Sequence, residues 1–543
     1  MMFGLRSVII FLCLAAFTTL PVFADTTILE RDRSDRQAPP SPLPVPRPSE
    51  QRTQTPEVGS FAPFTLRHVE LEGSSLTDAE ILSVTSKFIG QKMDRPAIDA
   101  MAAALSVVYA ASDVALYSIV IPNQSGENGN LKIVAVEGII DEIIVSGDTD
   151  KSNLGYAQEI LAPIVNQAPL RRSTLERVLS LLTMVPGTKI EPRFLKTNKR
   201  GIVKLAVALK TQGFAAGLGV ATRGTSNLGR TELQLGLTAN ALLQPGDRTT
   251  LTFGAPVDFE RFRYYGISHQ MPLGADGLTL SGNFGYLETF PSGLGAEGKA
   301  TTAGVQLNYP LLLSYKQALT LGIGIDGLNS DNALLGESIS SDRTRVVRLS
   351  AGYTQLFDEA RLSGMVALSQ GLDALGARTL DTTLTDVSFL KLTTFIAYDR
   401  PILKRLVLRL AAAGQYSDDR LPSSEQFALG GTFGRAFDAA VVAGEKSLAG
   451  SAELAYRFED IPEPLSNTEV YAFVDGGEVW RTARGAIASS STGLASAGVG
   501  TRFTIFSNIT LGLEVAHALD NPDTDPGDKG WRFIFSFSSR TDS

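Results

Sequence analysis

The sequence is poor in cysteine and histidine. It holds one cysteine, Cys13, and three histidines, His68, His269 and His517. Cys13 falls among the leader-like first residues, and Ile10–Phe11–Leu12 before it lacks the small side chains of a lipoprotein signal. The remaining chain therefore has no disulfide, no thiolate metal site and no cysteine nucleophile. Histidines this scattered argue against zinc. Past the leader no apolar run reaches about eighteen residues, which excludes a membrane-spanning helix but not spanning strands, whose signal is weaker. A net charge of −8 disfavours a nucleic-acid partner. G-x-S-x-G, H-E-x-x-H and P-loop motifs are absent. Gly322–Gly327 fits G-x-G-x-x-G, yet it lies inside an alternating strand pattern instead of opening a helix. Glycines that leave room on a wall explain it better. Carboxylate pairs such as Glu459–Asp460 fall in turns. No enzyme activity, metal or cofactor is expected.

What is present changes texture along the chain. Residues 1–24 read as an export signal: Arg6, an apolar core from Val8 to Phe17, and Val22–Phe23–Ala24 before a cleavage at Asp25. Residues 25–62 hold a charged piece, TTILERDRSDRQ, with the length of a two- or three-turn helix, then a Pro-rich extended linker. Residues 63–138 and 139–211 repeat one order: strand, helix, helix, strand, strand. In the first, Thr77–Asp78–Ala79–Glu80 is a capping box, and Asp94 with Pro96 opens a helix striped by Met101, Leu105 and Val108. The second has helices expected around Tyr156–Val165 and Ser173–Thr183. Two small α+β modules follow from this.

Residues 212–543 lose the helical period. Leu233, Leu235 and Leu237 oppose Glu232, Gln234 and Thr238, while Leu511, Leu513 and Val515 oppose Thr510 and Glu514. About sixteen such segments, each near ten residues, predict a closed antiparallel transmembrane β-barrel. Lipid requires the closure, because an open edge strands backbone groups at several kcal/mol each. The expected fold class is therefore α+β modules followed by an all-β membrane barrel.

One connection in the barrel is unusually long. GGTFGRAFDAAVVAGEKSLAG, Gly430–Gly450, joins strands ending near Ser417 and beginning near Leu448, and it carries Arg435 beside Gly434, Ala436 and Phe437. In the next strand, YAFVDGGEVW, alternation puts Phe473, Asp475 and Gly477 on one face. An ionised aspartate belongs toward the lumen, where Arg435 can pair with it, although water exposure of both fits the residues equally well.

At this point the sequence resembles the transporters of two-partner secretion, the hemolysin activation/secretion family. The modules resemble POTRA (polypeptide-transport-associated) domains. LKIVAVEGIIDEIIVSG is similar to the junction between them, GGTFGRAFDAAVVAGEKSLAGSAEL to the signature lumen loop, and FVDGG to the family's aromatic-x-Asp-x-Gly strand. The resemblance implies that Arg435 and Phe437 belong to the loop tip and that Asp475 is their lumen partner. It also implies a bacterial outer-membrane location, periplasmic modules, and a secreted exoprotein in unfolded form as partner. Outer-membrane lipid, and the barrel-assembly machinery during biogenesis, are further partners it implies. A barrel-assembly factor of the same superfamily is one alternative function, and a passive porin or surface-binding barrel is another. The chain departs from the pattern at Ala436, where the family has glycine, and at Asp113–Val114, where it has Gly-Tyr. It also ends on FSFSSRTDS, which leaves Phe537 as the aromatic assembly signal.

Overall fold

The computed structural model describes residues 57–60, 62–148, 151–292, 295–335, 337–459, 461–506, 508–520 and 530–541. The expected leader, the charged piece and most of the linker lie outside them. Among the described residues no helix is long and apolar enough to cross a membrane. The chain forms two compact units, one holding both modules and the other the barrel.

In the first module Thr77 caps helix Asp78–Thr85, and the Glu80 carboxylate accepts the Thr77 N–H in return at 2.8 Å. Asp94 caps helix Arg95–Ala111 through the Ala97 N–H at 3.1 Å. That helix buries Ile98, Met101, Leu105 and Tyr109 against strand residues Ile119, Leu131 and Ile133. Burial pushes the Tyr109 hydroxyl well above the usual phenol range. It stays protonated and donates to Ser74 Oγ at 2.6 Å and Glu137 Oε1 at 3.0 Å. Strand His68–Glu72 runs parallel to Asn130–Glu137, which pairs antiparallel with Tyr117–Ile121.

The linker ends inside this sheet. Glu57–Val58 adds as a fourth, parallel strand on the edge of Tyr117–Ile121. Gly59 then donates to Ile121 O at 2.8 Å, and the Ser60 N–H donates to Asn123 Oδ1 at 2.7 Å. A Cβ at Gly59 would lie 2.4 Å from that Asn123 oxygen. Residues 57–62, expected to be plain linker, thus begin with sheet.

The second module orders its strands Ile139–Asp148, Ile202–Thr211, Thr188–Lys196. Its helices are Lys151–Leu161, which starts earlier than expected, and Arg172–Met184. The second of these borrows its cap. Arg171 at the cap position makes no side-chain cap bond. Asp113 of the first module supplies it, accepting from Ser173 N at 2.8 Å and Ser173 Oγ at 2.9 Å. Ala115 N–H donates to Leu170 O at 2.8 Å alongside. The departure at Asp113–Val114 therefore joins the two modules. Losing an N-cap costs about 1 kcal/mol. Asp113→Ala is expected to speed trypsin cleavage after Arg171 and Arg172 about fivefold, with barrel fragments unchanged; equal cleavage rates would mean that the cap carries no load.

The barrel closes from sixteen antiparallel strands, Phe214–Ala221 through Trp531–Arg540. Leu235, Leu237, Phe284, Val499, Leu513 and Phe533 are exposed on its outer, lipid-facing side. Several strands are longer than the expected ten residues: Glu337–Leu356 has 20 and Gln317–Leu334 has 18. These two strands form one hairpin, and its outer end is tied by Arg343–Asp331 at 2.8 Å and Asn332–Ser340 at 2.8 Å. Beyond lipid, water satisfies one face and pairing no longer needs an apolar one. Within Gln317–Leu334 a Cβ at Gly322 would meet the polar ends of Ser350, Asn308 and Gln306.

Candidate functional site

The long connection has its own secondary structure. A 3₁₀ turn, Ser423–Glu425, leads into a two-stranded ribbon, Phe427–Leu429 against Val442–Gly444, and barrel strand resumes at Lys446. Between the ribbon strands the tip turns tightly. Gly430, Gly431 and Gly434 all have positive φ. A side chain at Gly434 would meet Leu494 Cδ1 at 2.1 Å. The left-handed positions near Arg435 fall on these glycines and on Ala440, so Ala436 takes the family's glycine position without strain.

Apolar burial seats the loop. Phe427, Leu429, Phe433, Ala436, Phe437 and Val442 pack against a wall that mixes alanines (Ala413, Ala449, Ala455, Ala516) with Tyr471, Phe473, Val479 and Leu494. Burying a phenylalanine of this kind is worth roughly 1.5–3 kcal/mol. Wall aromatics fit because their neighbours are glycines: a Cβ at Gly498 would meet the Phe473 ring at 2.6 Å.

The structure brings Arg435 and Asp475 together, and adds two carboxylates. Arg435 Nε lies 3.1 Å from Asp475 Oδ2, while Nη1 lies 3.2 Å from Glu514 and 3.5 Å from Glu453. The guanidinium stacks over Phe473 at 4.1 Å. The Asp475 side chain has no exposed surface, whereas that of Arg435 keeps 15 %. Asp475 Oδ1 also accepts the backbone N–H groups of Gly434 at 2.8 Å and Arg435 at 3.1 Å, plus the Ser496 hydroxyl. The carboxylate thus reads the tip's backbone as well as its cation. Gly477 sits on the same strand, where a Cβ would meet Leu448 O at 2.6 Å. Charge extends outward from here. Tyr471 donates to Glu514 at 2.8 Å, Arg409 pairs with Glu453 at 2.7 Å and Glu469 at 2.8 Å, and Arg502 pairs with both glutamates.

Two further anchors hold the loop's roots. Glu425 pairs with Arg348 at 2.9 Å and Lys391 at 2.5 Å, all three nearly or fully buried. Asp326 neutralises Arg348 from its other side at 2.6 Å. Glu445 pairs with Arg484 and accepts from Gln426 at 2.9 Å and Thr482 N at 2.7 Å. Sequence reading singled out neither root, nor Glu453 as a tip partner. Alternation had put Glu514 on the polar face without assigning it a partner.

The family profile described as haemolysin secretion/activation protein ShlB/FhaC/HecB matches residues 202–503. The chain belongs to that family. The transporter also matches the ShlB-type POTRA domain over residues 64–138. It is 20% identical over 537 residues to the heme/hemopexin transporter protein HuxB of Haemophilus influenzae, covering 93% of each chain. Its fold resembles that of CdiB from Escherichia coli, with a TM-score of 0.73 at 18% identity, covering 92% of this chain and 94% of that one. It resembles BamA from Haemophilus ducreyi less, with a TM-score of 0.52 at 14% identity, covering 88% and 100%. The transporter is therefore an outer-membrane barrel of two-partner secretion that exports an exoprotein, and its modules lie in the periplasm. The family match favours secretion over barrel assembly or passive permeation.

Proposed function

We propose that the exoprotein travels unfolded, is captured by the two modules as an added strand, and crosses the lumen past the loop that Arg435 and Asp475 position. The observation that carries this reading is the strand addition at Tyr117–Ile121. There the chain's own Glu57–Val58 supplies the backbone bonds that an extended partner would make. In this reading residues 1–24 are the leader, 25–62 the linker, and 63–138 and 139–211 the capture modules. Residues 212–543 form the conducting barrel, with its apolar outer face against lipid. Phe537 serves as the signal to the barrel-assembly machinery. Transport needs no catalytic group, metal or nucleotide, because folding of the exoprotein outside makes the transfer directional.

Deleting residues 64–138 is expected to leave a heat-modifiable barrel in the outer membrane and to stop export. The measurement compares exoprotein in the medium and on the cell surface. Normal secretion by the deletion overturns the reading. So does a loss of resident outer-membrane proteins at unchanged export, which would indicate an assembly factor instead.

A further inference from the structure

The closure of the barrel is short at one place. First strand Phe214–Ala221 and last strand Trp531–Arg540 share five register pairs, from Gly217↔Arg540 to Ala221↔Ser536. The first strand's other neighbour shares eight with it. Two bonds continue past Ala221: Thr222 N–H to Phe535 O at 3.0 Å, and Phe535 N–H to Thr222 Oγ1 at 2.8 Å. Then Gly224 turns away to donate to Arg230 O at 3.0 Å. Trp531–Ile534 run on beyond the ladder to the first strand.

The lumen loop occupies that gap. Arg532, buried on the inner face of the last strand, donates to the Phe437 carbonyl and, at 3.0 Å, to the Gly224 carbonyl. It also pairs with Asp438 at 3.1 Å. The other Asp438 oxygen accepts the Ser226 N–H at 3.0 Å, just past the end of the first strand. The penultimate strand, Ile509–Ala518, adds a second brace: its Glu514 holds Arg435 of the loop at 3.2 Å and Arg223, just past the first strand, at 3.0 Å.

We infer that Phe437–Asp438 is a clamp across the seam between first and last strands, so that undocking the loop loosens the barrel's closure. Where backbone pairing stops, Asp438 of the loop ties Arg532 of the last strand to Ser226 beyond the first. The direct contacts Arg532–Gly224 and Glu514–Arg223 are each braced by the loop, through Phe437 O and Asp438 on one side and Arg435 on the other. The loop's position and the seam's strength then form one equilibrium. Any event that withdraws the tip weakens the seam at the same moment, without acting on the seam strands directly.

Amide exchange of the folded transporter in lipid nanodiscs tests this. Asp438→Ala is expected to speed exchange about tenfold in peptides covering 214–222 and 531–538, with strand Arg361–Gly371 unchanged. Asp438→Asn, which keeps a neutral acceptor, is expected to give a smaller effect on the same peptides. Arg435→Ala touches neither seam strand, yet it is expected to speed the same peptides through the loop. A seam that exchanges at the wild-type rate in either alanine variant overturns the inference. An acceleration spread evenly over all strands, which would be general destabilisation, also overturns it.

Discussion

Arg435→Ala is expected to leave a folded barrel that exports poorly. The guanidinium is mostly buried and faces a fully buried Asp475. Removing one partner from a buried pair costs about 3–5 kcal/mol. Water reaching the exposed edge of Arg435 lowers that figure, but a fully buried carboxylate keeps it well above the roughly 1 kcal/mol of a surface pair. A loss of about 3 kcal/mol shifts the docked-to-undocked ratio roughly a hundredfold. The two singles are not equivalent. After Arg435→Ala, Asp475 still has the Gly434 and Arg435 N–H groups and the Ser496 hydroxyl. After Asp475→Ala the tip loses its cation partner and both backbone bonds together, so this variant is expected to be the worse exporter. The double variant should be less than additive, because the two share one interaction. The coupling is partial, since Arg435 also contacts Glu453 and Glu514. Secretion yield and protease access to the loop, in both singles and the double, decide the matter. Defects that combine as independent effects would show that the pair does not hold the loop.

The largest loss of barrel stability is expected from the root. Glu425→Ala takes one counter-charge away from two buried cations, Arg348 and Lys391. Asp326 still faces Arg348. The cost is expected at about 3–5 kcal/mol, the range for a broken buried pair. Glu425→Gln keeps the shape and an acceptor and is expected to lose less. Urea unfolding of the barrel in micelles, read from Trp480 and Trp531 fluorescence, measures both. Wild-type midpoints for Glu425→Ala would mean that the lumen solvates these cations as bulk water does.

The barrel was legible in the sequence because lipid imposes a local rule: every second residue is apolar, and residues such as Leu511, Leu513 and Val515 obey it on their own. The inward direction of Asp475 was legible for a related reason, since a charge within an apolar strand must turn inward. Its pairing with Arg435 was not: the residues fitted water exposure of both equally well, and only the family resemblance pointed to the pair. The other partners were not legible either. Glu453 reaches the tip only because strand Lys446–Arg457 pairs in register with Leu465–Arg481, bringing Ser451 opposite Asp475. Register is a property of the closed barrel, and no single strand encodes it. Glu425 meets Lys391 across 34 residues and Arg348 across 77. The strand at Glu57–Val58 was hidden for the opposite reason: two residues after Pro56 have no pattern of their own, and the edge they join supplies their structure.

The cap that Asp113 lends to helix Arg172–Met184 also makes the start of one module depend on its neighbour. A helix start without a capping side chain leaves first-turn N–H groups without an acceptor. Here the missing acceptor, Asp113, sits just past the end of helix Arg95–Ala111 in the first module. A second module cut out and grafted elsewhere would carry a frayed helix with it. The two modules are therefore a matched pair, and a chain with a different number of them has to supply a new carboxylate at each new junction.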